Sequence, residues 1–235
     1  MYNFFLEVSE HLPFLLKGAA VTIELSLVSM LLGTFLGFFL AIGRLSSHRL
    51  IRLPLNVFVE VMRDTPLIVQ LLLIYFSLPA AGIVLSAFCA GLAGLTLNLA
   101  AYLSEVFRAA ISAVDSGQKA AAVSLGMSPF SVYRRVIIPQ AGLASLPTLG
   151  GYFIALLKDC SLVSFISVNE LLRHATIVIS DTFDSMNTYI MVAIIYFVMS
   201  FISARIIYHI EQRLTPANRR ASFNLPLTMD KEAAR

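Results

Sequence analysis

Lys158 and Asp159 stand side by side within an apolar run from about Leu143 to Ile166. A charged side chain at the centre of a bilayer costs roughly 2.5–3.5 kcal/mol on insertion scales, so such residues face a protein interior or a wet cavity and seek partners. A ligand bearing both an ammonium and a carboxylate would satisfy them. Asp159 would meet the first, and Lys158 or the hydroxyl of Ser161 the second. The alternative is that the two charges stabilise one another or a neighbouring subunit. Adjacent residues point in different directions on a helix, so one small ligand does not easily reach both.

Two other pairs have helical spacing. Glu60 and Arg63, and Glu105 and Arg108, are each three residues apart near the end of an apolar segment. Each is either an interfacial ion pair, worth a fraction of a kcal/mol when partly exposed, or a latch at an inner gate that breaks on closure. Cys89 and Cys160 lie in apolar surroundings without metal-ligand spacing and are read as packing residues. No Gly-x-x-x-x-Gly-Lys-[Ser/Thr] loop occurs, so no ATP or other cofactor is expected on this chain. Nothing points to covalent catalysis or to a metal site.

The elements that must carry these residues follow from composition. Of 235 residues, 58% are hydrophobic and 13% charged, and the mean hydropathy is +0.82. A soluble domain is nearer half apolar and a quarter charged, so the solvent for this surplus is lipid. A crossing takes about 20 residues. Five segments qualify: about Ala19–Gly43, Thr65–Ile83, Ser86–Ala109, Leu143–Ile166 and Thr188–His209. Leu53–Met62 reads as a short interfacial helix, and Tyr2–Leu16 as a segment along the outer interface. The first run is too long and its start too acidic for a signal peptide. Gly33, Gly37 and Gly43 predict close helix packing. The expected fold is an all-α membrane bundle over residues 1–214, with a polar tail at 215–235.

Charge sets the orientation. With the N-terminus outside and five crossings, the inner segments hold Arg44, Arg49, Arg52, Arg108, Lys119, Arg134, Arg135 and the tail from Arg205. The outer segments hold only Lys17 and Arg173. This is the positive-inside pattern, with the C-terminus cytoplasmic. It accounts for the pI near 9.0 without nucleic acid, because no basic patch interleaved with aromatics is present.

The inner loop, about 108–140, predicts two short helices and a tight turn. Asp115 or Ser116 caps the first, and the Ala-rich run propagates it. Gly126 suits the residue just past its end. Ser128 caps the second, Pro129 opens it and Pro139 ends it. On the outer side, Ser167 and Glu170 have capping-box spacing, with Ser167 at the N-cap.

Ala120-Ala121-Ala122, Gly126, Val136, Ile138 and Pro139 occupy the places of a loop pattern in importer permeases: Glu-Ala-Ala, three residues, Gly, nine residues, Ile, one residue, Leu-Pro. Ala120 stands where that pattern has Glu. Arg63-Asp64-Thr65-Pro66-Leu67-x-x-Gln70 is similar to Arg-Gly-Thr-Pro-Leu-x-x-Gln, with Asp64 for Gly. Ala101-Tyr102-x-x-Glu105-x-x-Arg108, Gly117-Gln118 and Lys158-Asp159-Cys160-Ser161-Leu162 match further motifs of the same group, in order. The chain therefore resembles the permease subunits of ABC-type importers for polar amino acids, the histidine/glutamine/glutamate branch.

The resemblance implies the type I importer permease fold, with Gly117, Gln118, Ala120, Ala121, Ala122, Gly126, Met127 and Pro139 forming the loop that couples to an ATPase. It adds Gln70 to Lys158, Asp159 and Ser161 as a candidate substrate pathway. It implies two ATPase subunits carrying ATP and Mg, a second permease subunit that is this chain or a similar one, an external amino-acid-binding protein, and the bacterial inner membrane. The rival reading, an ATP-independent secondary transporter or channel, predicts two related halves. No such repeat is evident.

Overall fold

In a computed structural model, residues 2–214 are described, with side chains from Glu10 onward; the predicted tail at 215–235 lies outside them. The described chain is helical, without strands. Its elements are α1 (Tyr2–Arg44), α2 (Arg49–Asp64), α3 (Leu67–Leu72), α4 (Ala87–Ser112), α5 (Ser116–Ser124), α6 (Pro129–Val132), α7 (Ile138–Asp159), α8 (Leu171–Thr182) and α9 (Ser185–Leu214).

Four helical runs are long and apolar enough to cross a membrane: Glu10–Arg44, Ala87–Ser112, Pro129–Ile166 and Ser185–Leu214. The second predicted crossing is shorter. Its helical run covers Leu67–Ala81, passing from α3 through a π turn at Leu73–Ser77 and a 3-10 turn at Leu78–Ala81. At ~1.5 Å per residue that run falls short of ~30 Å of hydrocarbon.

Packing shows how the chain nevertheless returns. Arg44, at the end of α1, reaches Ser104 and Glu105 near the end of α4, so the two helices run parallel. The chain between them must travel back. The α2 end lies beside Asn98 and Tyr102 of α4, and Leu71 of α3 lies beside Gly94. The corner between α2 and α3 therefore sits level with the middle of α4. From there a short helix suffices to finish the crossing.

Close packing of α1 on α4 uses two of the three predicted glycines, Gly33 and Gly37, whereas Gly43 faces Leu55 of α2. A Cβ on Gly37 would stand 2.9 Å from the Ala100 carbonyl and 3.0 Å from Leu103 Cβ. One on Gly33 would meet the Leu99 side chain at 2.8 Å. The main apolar cluster gathers Leu25, Leu71, Leu95, Leu103, Leu156 and Val163 from α1, α3, α4, α7 and the turn after it. A second, around Leu15, Leu171, Ala175, Met191 and Ile195, seats α8 between α1 and α9. Outward, Leu31, Phe35 and Phe197 are more than 60% exposed, which suits hydrocarbon and not water.

Four local expectations change. Tyr2–Leu16 is continuous with the first span, and Pro13 is accommodated within α1. Pro139 does not end a helix: α6, a π turn at Tyr133–Ile137 and α7 form one run, with Pro139 in the first turn of α7. The wider π turn takes up the hydrogen bond and space that proline denies to an α-helix. Ser167 adopts φ 65° in the left-handed region and is not an N-cap. Glu170 is the cap of α8, accepting from the Arg173 amide at 2.8 Å. Cys160 is buried as expected, whereas Cys89 is exposed.

Candidate substrate cavity and coupling surface

The corner Arg63–Pro66 is shaped by one buried amide. Nε2 of Gln70 donates to the carbonyls of Met62 at 2.7 Å and Thr65 at 2.9 Å. These carbonyls belong to the end of α2, where intrahelical partners run out. Asn98 of α4 donates to the same Met62 carbonyl at 3.1 Å and to Oε1 of Gln70 at 3.2 Å. The Tyr102 hydroxyl donates to the Arg63 carbonyl at 3.2 Å. Three side chains thus fasten a non-helical corner at mid-depth, where a loose carbonyl would be costly.

This corner forms one wall of a cavity of about 430 Å³. Arg63, Asp64, Thr65 and Pro66 line it with Asn98, Tyr102, Tyr152 and Asp159. The Arg63 guanidinium carbon lies 5.5 Å from the Tyr102 ring centroid, within cation–π range. The volume falls in the range of about 300–1,000 Å³ typical of small-molecule sites.

Of the four predicted pathway residues, Asp159 lines this space. Gln70 is buried behind it and holds backbone. Lys158 is exposed, and neither it nor Ser161 lines the cavity. Sequence reasoning treated Asp64 only as a departure from a motif and did not name Asn98. Asn98 could have been found as an amide in an otherwise apolar stretch, whereas Asp64, between Arg63 and Thr65, carried no such signal.

The predicted ion pairs divide. Glu105 and Arg108 pair, and Arg44 joins them from α1, its Nη1 2.9 Å from Glu105. Nε of Arg44 also donates to Asn56 of α2 at 2.9 Å. This network ties α1, α2 and α4 at one level. Glu60 and Arg63 form no ion pair among the described residues. Both are exposed, and Arg63 turns to Tyr102 instead.

At the other end, Glu170 is fully buried. Its Oε2 accepts from Tyr196 of α9 at 2.9 Å and Thr22 of α1 at 3.4 Å. Glu170 lies between the spans, and burial pushes its carboxyl above the ordinary range against hydrogen bonds that lower it.

The inner loop takes its predicted shape through α5. Asp115 accepts from the Gly117 amide at 2.6 Å, and Gly126 adopts φ 77°. Ser128 caps α6 and Pro129 begins it. Ala122, Val132 and Ile137 make a small core. Around it Leu125 is 82% and Phe130 72% exposed. Ala120, Ala121, Gly117 and Gln118 lie on exposed parts of α5, and Met127 packs against the small core.

A multi-pass helical bundle with a polar cavity at mid-depth and a separate helical loop defines a membrane permease. A family model described as binding-protein-dependent transport system inner membrane component matches residues 33–216, and the chain belongs to that family. It is similar to the Bacillus subtilis (strain 168) protein named "Probable amino-acid ABC transporter permease protein YckA", 42% identical over 83% of this chain and 86% of that one. The L-cystine transport system permease protein TcyB of the same organism is 38% identical, over 86% and 87%. Among solved structures, an amino acid ABC transporter crystallised with histidines gives a TM-score of 0.84 at 41% identity, covering 89% of this chain and 98% of that one. The inward-facing MetNI methionine ABC transporter, at 16% identity, shares the fold with a TM-score of 0.74, covering 88% and 99%.

Proposed function

We propose that this chain forms part of the translocation pathway of an ATP-driven amino-acid importer and is driven by a separate ATPase. The observation that carries the coupling is the α5–α6 loop: a small self-supporting core that presents Leu125 and Phe130 outward. Apolar groups held in this way suit a groove on a partner protein. Gly117, Gln118, Ala120, Ala121 and Gly126 lie exposed on that loop, Ala122 and Met127 support it from the small core, and Pro139 lies in the run leading from it into the bundle.

Two ATPase subunits, holding ATP and Mg, dock on the loops of two permease subunits, the second being this chain or a similar one. An external binding protein delivers the amino acid. The N-terminus is outside and the C-terminus cytoplasmic, as the distribution of Arg and Lys supports. The cavity beside Asp159 receives the substrate, with the Asp159 carboxylate toward the ammonium and the Arg63 guanidinium toward the carboxylate. ATP-driven closure turns the cavity outward, and hydrolysis returns it inward. The chain itself performs no covalent chemistry.

Leu125→Asp combined with Phe130→Asp tests the docking surface. The variant is expected to insert and melt normally but to lose the co-purifying ATPase and amino-acid uptake. Full ATPase recovery with normal coupled uptake would refute the coupling role.

A further inference from the structure

The cavity wall carries three charged groups: Arg63, Asp64 and Asp159. None of them forms an ion pair with another described residue. Lys158 adjoins Asp159 in sequence but does not line the space. By residue type the wall carries one basic and two acidic side chains.

Asp64 has no evident structural task. It is exposed at the last position of α2, where the helix dipole disfavours a carboxylate. The carbonyls at that end are served instead by Gln70, Asn98 and Tyr102.

We infer that this cavity selects an amino acid with a cationic side chain, and that Asp64 is the group that reads the side-chain charge. The inference rests on the cavity being the amino-acid pathway. The substrate's carboxylate and ammonium balance Arg63 and Asp159. A neutral side chain would leave Asp64 unmatched, and an acidic one would add a like charge to a wall already negative. A guanidinium or ammonium at the side-chain end neutralises it through a charge-assisted hydrogen bond. Asp64 is thus a specificity determinant distinct from the groups that hold the backbone of any amino acid.

The test uses the complete permease–ATPase complex in detergent without the binding protein, so that the partner's selectivity does not intervene. Equilibrium binding of L-arginine is compared with that of L-citrulline, which has nearly the same shape without the side-chain charge. Arginine is expected to bind about tenfold more tightly or better, the effect of one hydrogen bond to a charged group. Asp64→Asn and Asp64→Gly should each bring the ratio close to one by weakening arginine alone. Asp159→Asn should weaken both ligands. Equal binding of the two ligands by the unaltered complex, or a ratio unchanged in both Asp64 variants, overturns the selectivity while leaving the pathway standing if Asp159→Asn still weakens both. If neither ligand binds, the pathway and the selectivity are overturned together.

Discussion

Gln70 and Glu170 show how a single buried polar side chain can hold an irregular stretch of membrane protein. Gln70 serves two carbonyls that the corner after α2 leaves open. Gln70→Leu keeps the volume but removes both donors, and is expected to cost about 1–3 kcal/mol. Thermal melting of the detergent-solubilised complex should fall by several degrees, whereas Lys158→Ala, at an exposed site, should leave it unchanged. Glu170 joins α1, α8 and α9 through Thr22 and Tyr196. Burial raises its carboxyl above 4.5, so the unfolded chain ionises first as pH rises. Its contribution is fully present below that value and is lost as pH climbs through the raised one. As pH rises above the ordinary carboxyl value of 4.5, the melting temperature of the unaltered complex should decline more than that of Glu170→Gln, and parallel profiles would count against this assignment. The types of these residues stood out in the sequence, but their partners did not. Gln70 looked like a pathway residue because an amide among apolar residues is equally suited to a ligand or to a carbonyl, and only contact with Met62 and Thr65 decides between them.

At the scale of elements, α1 and α4 approach until glycine is required. Gly33 and Gly37 differ in what their missing side chains would strike. At Gly33 the obstacle is the Leu99 side chain, from Cδ2 at 2.8 Å back to Cβ at 3.3 Å, and at Gly37 it is the Ala100 backbone carbonyl. Gly33→Ala should therefore cost less than Gly37→Ala, because the Leu99 side chain can give way in part and alanine gains up to about 1 kcal/mol of helix propensity. Gly37→Ala should destabilise by about 1–3 kcal/mol through overpacking, seen as a lower melting temperature and reduced yield of assembled complex. The glycines announced close packing in the sequence through their spacing. The continuity of α6 with α7 was hidden, because proline is ordinarily a stop signal and the π turn that accommodates Pro139 has no sequence signature of its own. The cap of α8 was placed three residues early for a related reason: Ser167 and Glu170 both suit a cap, and the left-handed backbone at Ser167 is set by the 3-10 turn before it.

At the scale of the whole molecule, the parallel course of α1 and α4 requires the intervening chain to recross, so the short helical run at Leu67–Ala81 still contributes a passage. Three passages, through α1, the Leu67–Ala81 run and α4, precede α5 and place it on the side opposite the start of α1. Lys119→Cys, in a background lacking Cys89 and Cys160, should react with an impermeant thiol reagent only from the cytosolic side; labelling of intact cells would refute this orientation. Removal of Cys89 matters here, since that thiol is exposed.

The sequence by itself determined that the chain lives in a membrane, because apolar composition and segregated Arg and Lys follow from solvation and from insertion, which act on each segment separately. It also determined the loop's first helix, its turn and the start of its second helix, since caps, alanine runs and a positive-φ glycine are local. The tertiary structure alone decided which polar residues share a space. Asp64 and Asp159 are nearly a hundred positions apart in the chain, and their meeting at one cavity depends on a corner at mid-depth that Gln70, Asn98 and Tyr102 fix from two different helices. Such a corner is a cooperative product of packing and carries no local pattern.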